Sequence, residues 1–149
     1  MATIPLPRDF SEFLKLLAEH EVRYLLVGGY AVAHHGYVRG TADMDLWVDQ
    51  AGDNPDRLVA AIREFGFSSS DLTPDHFHKD AQIIRMGAPP LRIELMTSVS
   101  GVDFDECYDR REIVNWEGLP VSMISLDMLK RNKQAASRQK DLNDLGQLD

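Results

Sequence analysis

Asp43 and Asp45 are separated by one residue in Asp43-Met44-Asp45. In an extended chain both carboxylates leave the same face, with α-carbons about 7 Å apart at a rise of about 3.3 Å per residue. Hard divalent cations select such pairs: Mg²⁺ takes oxygen ligands in near-octahedral geometry, commonly one or two carboxylates, with water and substrate phosphates completing the shell. A third carboxylate from a neighbouring strand would make a two-ion clamp, in which one ion acidifies an attacking hydroxyl and the other neutralises a leaving pyrophosphate. Glu94 is the candidate. In the run from Leu91 to Thr97, Leu91, Ile93 and Leu95 share the core face, leaving Arg92, Glu94 and Met96 on the other. An Asp-x-Asp pair alone more often marks solvated strand charges, so the surrounding residues must carry the argument.

Upstream, Leu25-Leu26-Val27-Gly28-Gly29-Tyr30 runs from an apolar strand through two glycines into a helix. The main-chain N–H groups of Gly28 and Gly29 would then approach a triphosphate at a helix N-terminus, a plain turn being the alternative. Arg39 and Thr41 precede the acidic strand, placed to pin a phosphate or orient the metal loop, or to make a structural loop hydrogen bond. Lys133, Arg138 and Lys140 belong to a basic segment without acidic residues between Lys130 and Lys140, which either neutralises the triphosphate or forms a solvated face. Lys133 and Lys140 are two turns apart in an unbroken helix, and Ser137 is the candidate break. Trp47 is in phase with the carboxylates, to stack on a base or pack beneath a helix. His34-His35 and Asp75-His76-Phe77-His78 have poor spacing for tetrahedral zinc.

The elements that must position these groups follow from periodicity. Phe10, Phe13, Leu14 and Leu17 recur at helical spacing after Asp9, a candidate cap. Residues 23–27 read as a buried strand, residues 30–35 as a short helix closed by Gly36. From 43 to 49 the chain alternates, Met44, Leu46 and Val48 inward, Asp43, Asp45, Trp47 and Asp49 opposite. Asn54-Pro55 starts a helix with the stripe Leu58, Ile62 and Phe65, stopped by Gly66. Residues 67–80 are polar and interrupted by Pro74, a loop on the surface or over a site. Residues 81–86 and 91–97 form a hairpin around Gly87-Ala88-Pro89-Pro90, and residues 112–116 and 119–123 a second around Glu117-Gly118. A short helix covers 103–108, Ser125 caps another, and a last one holds Leu142 and Leu145.

The 149 residues fit one domain, residues 1–149, with a helical C-terminal segment from about residue 125. An apolar share of 44% and a charged share of 27% indicate a folded globular chain. The formal charge of −8 disfavours long duplex nucleic acid but leaves small anions as ligands. No apolar run approaches a membrane span and no leader pattern opens the chain, so a cytoplasmic location is expected. Cys107 is the sole cysteine, read as a buried small side chain.

Taken together, GGYAVAHHGYVRGTADMDLWVD closely resembles the signature of the DNA polymerase β-like nucleotidyltransferase superfamily, in particular its minimal bacterial members. The likeness runs from Gly28-Gly29 through Gly36, Arg39 and Thr41 to Asp43 and Asp45, and resumes at Ile93-Glu94-Leu95. Near the end, Lys133, Arg138, Lys140-Asp141-Leu142 and Asp144-Leu145 resemble the pattern of abortive-infection and toxin-associated nucleotidyltransferases. The resemblance covers essentially the whole chain. It implies an α/β (α+β) fold with a mixed central sheet flanked by helices, an NTP substrate and two Mg²⁺ ions, with Mn²⁺ as an alternative. Transfer would move a nucleoside monophosphate to a hydroxyl or phosphate and release pyrophosphate. Asp43, Asp45 and Glu94 would hold metal, and Gly28 and Gly29 would contact the phosphates. The resemblance leaves the acceptor open among tRNA, protein and small molecules, and allows a cognate antitoxin or other protein partner. Glu94 stands where the superfamily usually has Asp, a longer reach. Two rivals follow: a binding module that keeps the fold without turnover, antitoxin-like, and a glycosyltransferase using Asp-x-Asp for a nucleotide-sugar metal.

Overall fold

The computed structural model describes residues 6–36, 43–69, 72–88 and 91–148, and of residues 88, 139 and 140 the main chain alone. In chain order the elements are α1 (Arg8–Glu19), β1 (Tyr24–Val27), α2 (Gly28–His34), β2 (Asp43–Val48), α3 (Asn54–Phe65), β3 (Ile83–Ala88), β4 (Leu91–Met96), α4 (Phe104–Asp109), β5 (Glu112–Trp116), β6 (Leu119–Met123), α5 (Leu126–Ala136) and α6 (Gln139–Gln147). The strands form one mixed six-stranded sheet in the order β3-β4-β2-β1-β6-β5. The pairs β1–β2, β3–β4 and β5–β6 are antiparallel, and β2–β4 and β1–β6 are parallel. The expected mixed sheet with flanking helices is therefore the observed architecture.

The core is built from the apolar stripes that the periodicity marks. In α1, Phe10, Phe13, Leu14 and Leu17 are all buried, and in α3 so are Leu58 and Ile62. The Phe13 and Phe65 rings meet edge to face at 5.1 Å, joining these helices. Gly66 ends α3 in the left-handed conformation at φ 103°, where a side chain would be strained. Asp9 does not cap α1. Pro7 occupies the N-cap position, and Asp9 sits within the first turn, where its charge complements the helix dipole.

Asn54 does more than begin a helix. Its buried amide accepts from Arg23 N at 2.7 Å and donates to Arg23 O at 3.1 Å and Asp49 O at 2.8 Å, tying the entry to β1 against the exit from β2. Those are the two strands whose opposite ends meet at the acidic face. The β5–β6 turn has positive φ at Glu117 (53°) and Gly118 (87°), a two-residue connection of the kind that matches strand twist. The segment 67–80 contains a 3₁₀ turn over Pro74–His78 that buries Phe77. Leu72 is buried in the same segment, whose polar composition concealed these apolar anchors. No helix among the described residues is long and apolar enough to cross a membrane.

Cys107 is buried in α4, and burial, reinforced by the charges of Glu106 and Asp103, pushes its thiol up to about 11. Alkylation by iodoacetamide at pH 8 is therefore expected to be negligible for the native protein and to appear only with unfolding. Stoichiometric labelling of the folded chain, read by mass spectrometry, would contradict that burial.

Candidate active site

The parallel β2–β4 register pairs Asp43 with Arg92, Asp45 with Glu94 and Trp47 with Met96. Since side chains alternate along a strand, Asp45 and Glu94 stand side by side on one face. The antiparallel β3–β4 pairing adds Arg85 opposite Glu94. Arg85 Nε lies 2.8 Å from Glu94 Oε1, and Arg92 Nε and Nη2 each lie 3.4 Å from an oxygen of Asp43. Burial raises the Glu94 carboxyl, but hydrogen bonding with Arg85 and Asp45 and the charges of Arg85 and Arg92 more than reverse it, so Glu94 is held below the usual range.

Gly28 closes the arrangement from above. It begins α2 with φ 68°, and a Cβ there would fall on Asp45 Oδ2 and 2.9 Å from Asp45 Cγ. Only glycine meets both the conformation and the approach. Gly29 follows in the first turn of α2, so the main chain of the helix entry borders the carboxylates. Together Gly28, Gly29, Asp45, Glu94, Lys133 and Arg138 line one cleft of about 460 Å³.

The sequence-derived residues divide as follows. Asp45, Glu94, Gly28, Gly29, Lys133 and Arg138 are brought together. Asp43 keeps its place on the same strand face but turns toward Arg92 and is not among the residues lining the cleft. Among the described residues no group of three or more His, Cys, Asp or Glu side chains is gathered closely enough to hold a metal ion. Arg39 and Thr41 lie outside the described residues, as does the side chain of Lys140.

Trp47 is buried, its indole donating to Thr97 O at 3.3 Å and its ring edge-on to Phe104 at 5.1 Å, so it packs beneath α4. Asp49, in phase with the site carboxylates, is likewise buried and bridged to Arg23 Nη1 at 2.8 Å. Arg85 and the wall formed by Ser98, Ser100 and Asn132 line the cleft without having been singled out in the sequence. Alternation places Arg85 on a face but cannot supply its partner, which depends on the hairpin register.

Lys133 departs most from expectation. It is not a solvated lysine: only 3% exposed, its Nζ lies 3.1 Å from Asp141 Oδ1 and 3.2 Å from Asp144 Oδ2. Ser137, at φ 56°, breaks the helix as its position suggested, and the bend carries both aspartates back onto Lys133. Lys133→Met removes the buried ammonium that Asp141 and Asp144 share and is expected to cost about 3–5 kcal/mol, read as a fall in urea midpoint. Burial raises the Asp141 carboxyl, yet hydrogen bonds from Arg138 and Lys133 and their charges hold it below its ordinary value. Its stabilising contribution is therefore complete above the unfolded carboxyl pKa of about 3.9 and is lost as pH falls through the lower folded value. Urea midpoints between about pH 5 and 2 should fall more steeply for the parent than for Asp141→Asn; parallel curves would remove Asp141 from the acid transition.

A mixed sheet with an acidic face on its adjoining central strands and a glycine helix entry above it defines a nucleotidyltransferase-like fold. Solved structures with this fold include a Thermotoga maritima protein assigned to the nucleotidyltransferases, with a TM-score of 0.66 at 15% identity over 97% of this chain and 94% of that one. The lincosamide antibiotic adenylyltransferase LnuA, solved with lincomycin bound, gives 0.61 at 13% identity over 96% of each chain. An antigenic nucleotidyltransferase-like protein from Paracoccidioides brasiliensis gives 0.53 at 20% identity, over 97% of this chain and 77% of that one. At these identities the likeness is one of fold. The sequence matches no protein-family model and no curated protein.

Proposed function

We propose that this chain is a metal-dependent nucleotidyltransferase that moves a nucleoside monophosphate from an NTP to a hydroxyl or phosphate acceptor. The acceptor oxygen forms a bond to the α-phosphorus, the bond from that phosphorus to the bridging oxygen of the β-phosphate breaks, and pyrophosphate leaves with the electron pair. The observation that carries this reading is the Asp45–Glu94 pair, in register on neighbouring parallel strands, under a glycine whose missing side chain admits Asp45.

That pair fits a divalent cation: Mg²⁺ commonly takes one or two carboxylates from protein, and Asp45 and Glu94 supply two already close enough to share a hydrogen bond. Asp45 and Glu94 would hold Mg²⁺, with Asp43 beside them and Mn²⁺ as a substitute ion. The metal would supply charge neutralisation at the α-phosphate and pyrophosphate and acidify the attacking hydroxyl. The chain's own groups orient the rest: Gly28 and Gly29 present the helix entry to the phosphates, and Arg138 adds a cation. Arg39, Thr41 and Lys140 belong to the same proposal through the family resemblance. The acceptor class is RNA, including tRNA, protein or small molecule, and the fold likeness to LnuA, a lincosamide adenylyltransferase, supports the last of these. A cytoplasmic setting and a toxin-type role with a cognate antitoxin rest on the resemblance alone.

The second reading is a catalytically weak or inactive, antitoxin-like binding partner. It is favoured by the Arg85–Glu94 and Arg92–Asp43 pairs, which occupy carboxylates that turnover would need. Calorimetric titration with each NTP, with and without Mg²⁺, alongside pyrophosphate release in cell extract, separates the two. Mg²⁺-dependent binding with release supports the enzyme, binding without release supports the partner, and no binding overturns both.

A further inference from the structure

We propose that Arg138 is the phosphate-contacting cation of the cleft, and that Lys133 is a positioning residue that holds Arg138 there through Asp141 and is not itself a phosphate ligand. This inference rests on the nucleotidyl-transfer reading of the same cleft.

Both basic residues line the cleft, but their surroundings differ. The Lys133 side chain is 4% exposed, and its ammonium is held between Asp141 and Asp144, themselves 0% and 2% exposed. Turning that ammonium toward a phosphate would take one counter-charge from each of two buried carboxylates, which is strongly unfavourable. The Arg138 side chain is 63% exposed. Its Nε lies 2.6 Å from Asp141 Oδ2 and its Nη2 3.3 Å from Oδ1, while its main-chain N–H donates to Oδ2 at 3.2 Å. A guanidinium held along one edge by a carboxylate still carries N–H donors on its outer edge, the geometry suited to a phosphate.

Asp141 is thus the shared joint: Lys133 fixes one of its oxygens from inside, and Arg138 grips both from outside. Ser137 supplies the bend that makes this possible, placing Arg138 at the N-cap of α6 and Asp141 three residues on, where the Asp141 carboxylate accepts from the Arg138 main-chain N–H. Arg138 also lies within the field of Asp45, placing its charge on the carboxylate side of the cleft. Lys133 is thus committed to the two buried aspartates, so of the two basic residues from the C-terminal helices the one offered to a polyanion is Arg138.

The two roles predict opposite signs for Asp141→Asn. If Lys133 were the phosphate ligand, removing a neighbouring negative charge would free its ammonium and tighten binding of a polyanion. If Arg138 is the ligand and Asp141 its holder, the same change should weaken binding, by about 10-fold, the loss of roughly one charge-assisted hydrogen bond's worth of order. Dissociation constants of ATP with Mg²⁺ and of inorganic triphosphate with Mg²⁺ are measured for the parent, Arg138→Gln, Asp141→Asn and their double variant. Arg138→Gln should weaken both ligands about 10-fold, measured on protein shown to be folded because the variant also loses a contact to the buried Asp141, and the double variant should be no weaker than Arg138→Gln, since the aspartate acts through the arginine. Tighter binding by Asp141→Asn, or parent-like binding by Arg138→Gln, overturns the inference. Should Asp141→Asn fail to fold, Asp144→Asn releases Lys133 from one carboxylate while the Arg138–Asp141 hydrogen bonds remain. Unchanged binding there supports the positioning role, and tightening overturns it. A parent that binds neither ligand ends the nucleotidyl-transfer reading itself, whereas a binding parent with contrary variants ends only this inference.

Discussion

Asp45→Asn should abolish nucleotidyl transfer while leaving the fold intact. Asparagine keeps the shape of aspartate but removes a negative ligand from the Asp45–Glu94 pair, on which the proposed metal site depends. A loss of about 10³-fold or more in kcat, some 4 kcal/mol of transition-state stabilisation, is expected. The stability change should be small and toward higher stability, because replacing one of two crowded carboxylates relieves repulsion in the metal-free protein. The two readouts together distinguish a chemical defect from a folding defect. Full transfer activity in a folded Asp45→Asn variant would remove Asp45 from the mechanism. Glu94→Gln should lose transfer for the same reason, and Glu94→Asp should keep measurable activity if charge matters more than reach.

Gly28→Ala should be nearly as damaging to activity by a different route. The added Cβ would land on Asp45 Oδ2, so either the helix entry or the carboxylate must move. At φ 68° the alanine also adopts a left-handed conformation that costs about 1–2 kcal/mol. Transfer should fall by about 10²-fold or more, since misplacement by about 1 Å near the reacting groups costs that much. Thermal stability should drop only modestly. Gly36→Ala is the comparison: Gly36 also has positive φ, but a Cβ there meets nothing within 4 Å among the described residues, so backbone strain should appear without loss of transfer beyond the stability effect. Equal activity losses at the two glycines would show that conformation, and not the approach to Asp45, is what Gly28 provides.

The sheet-building elements were legible because each is a local pattern. Strict alternation through Asp43-Met44-Asp45-Leu46 fixes which side chains share a face, and Glu117-Gly118 between two apolar runs fixes a tight hairpin. Glycine at 66 and serine at 137 mark helix ends because both positions take positive φ. Alternation could not tell which parts of a face are covered. Asp49 and Trp47 share the phase of Asp45, yet Phe104 of α4 covers that end of the sheet, so Trp47 becomes core and Asp49 a buried ion-pair partner of Arg23. Nor could it supply partners across register: Arg85 and Arg92 are ordinary strand cations until the β2–β4–β3 pairing sets them against Glu94 and Asp43. Lys133 illustrates the same limit in helices. Its partners lie 8 and 11 residues on, beyond a break in the helix, so no face of a single helix contains the contact.

The central claim concerns which bond of the nucleotide breaks, and isotopic labelling reads that directly. Each NTP, labelled with ³²P at either the α- or the γ-phosphate, is incubated with the protein, Mg²⁺ and cell extract, with the Asp45→Asn protein as control. The acceptor fraction is then separated into RNA, protein and small molecules. Attack at the α-phosphorus predicts that α-label enters one of these fractions, that γ-label leaves as pyrophosphate, and that neither happens with Asp45→Asn. Transfer of γ-label to the acceptor, or transfer of α-label equally well by Asp45→Asn, would contradict nucleotidyl transfer at this site.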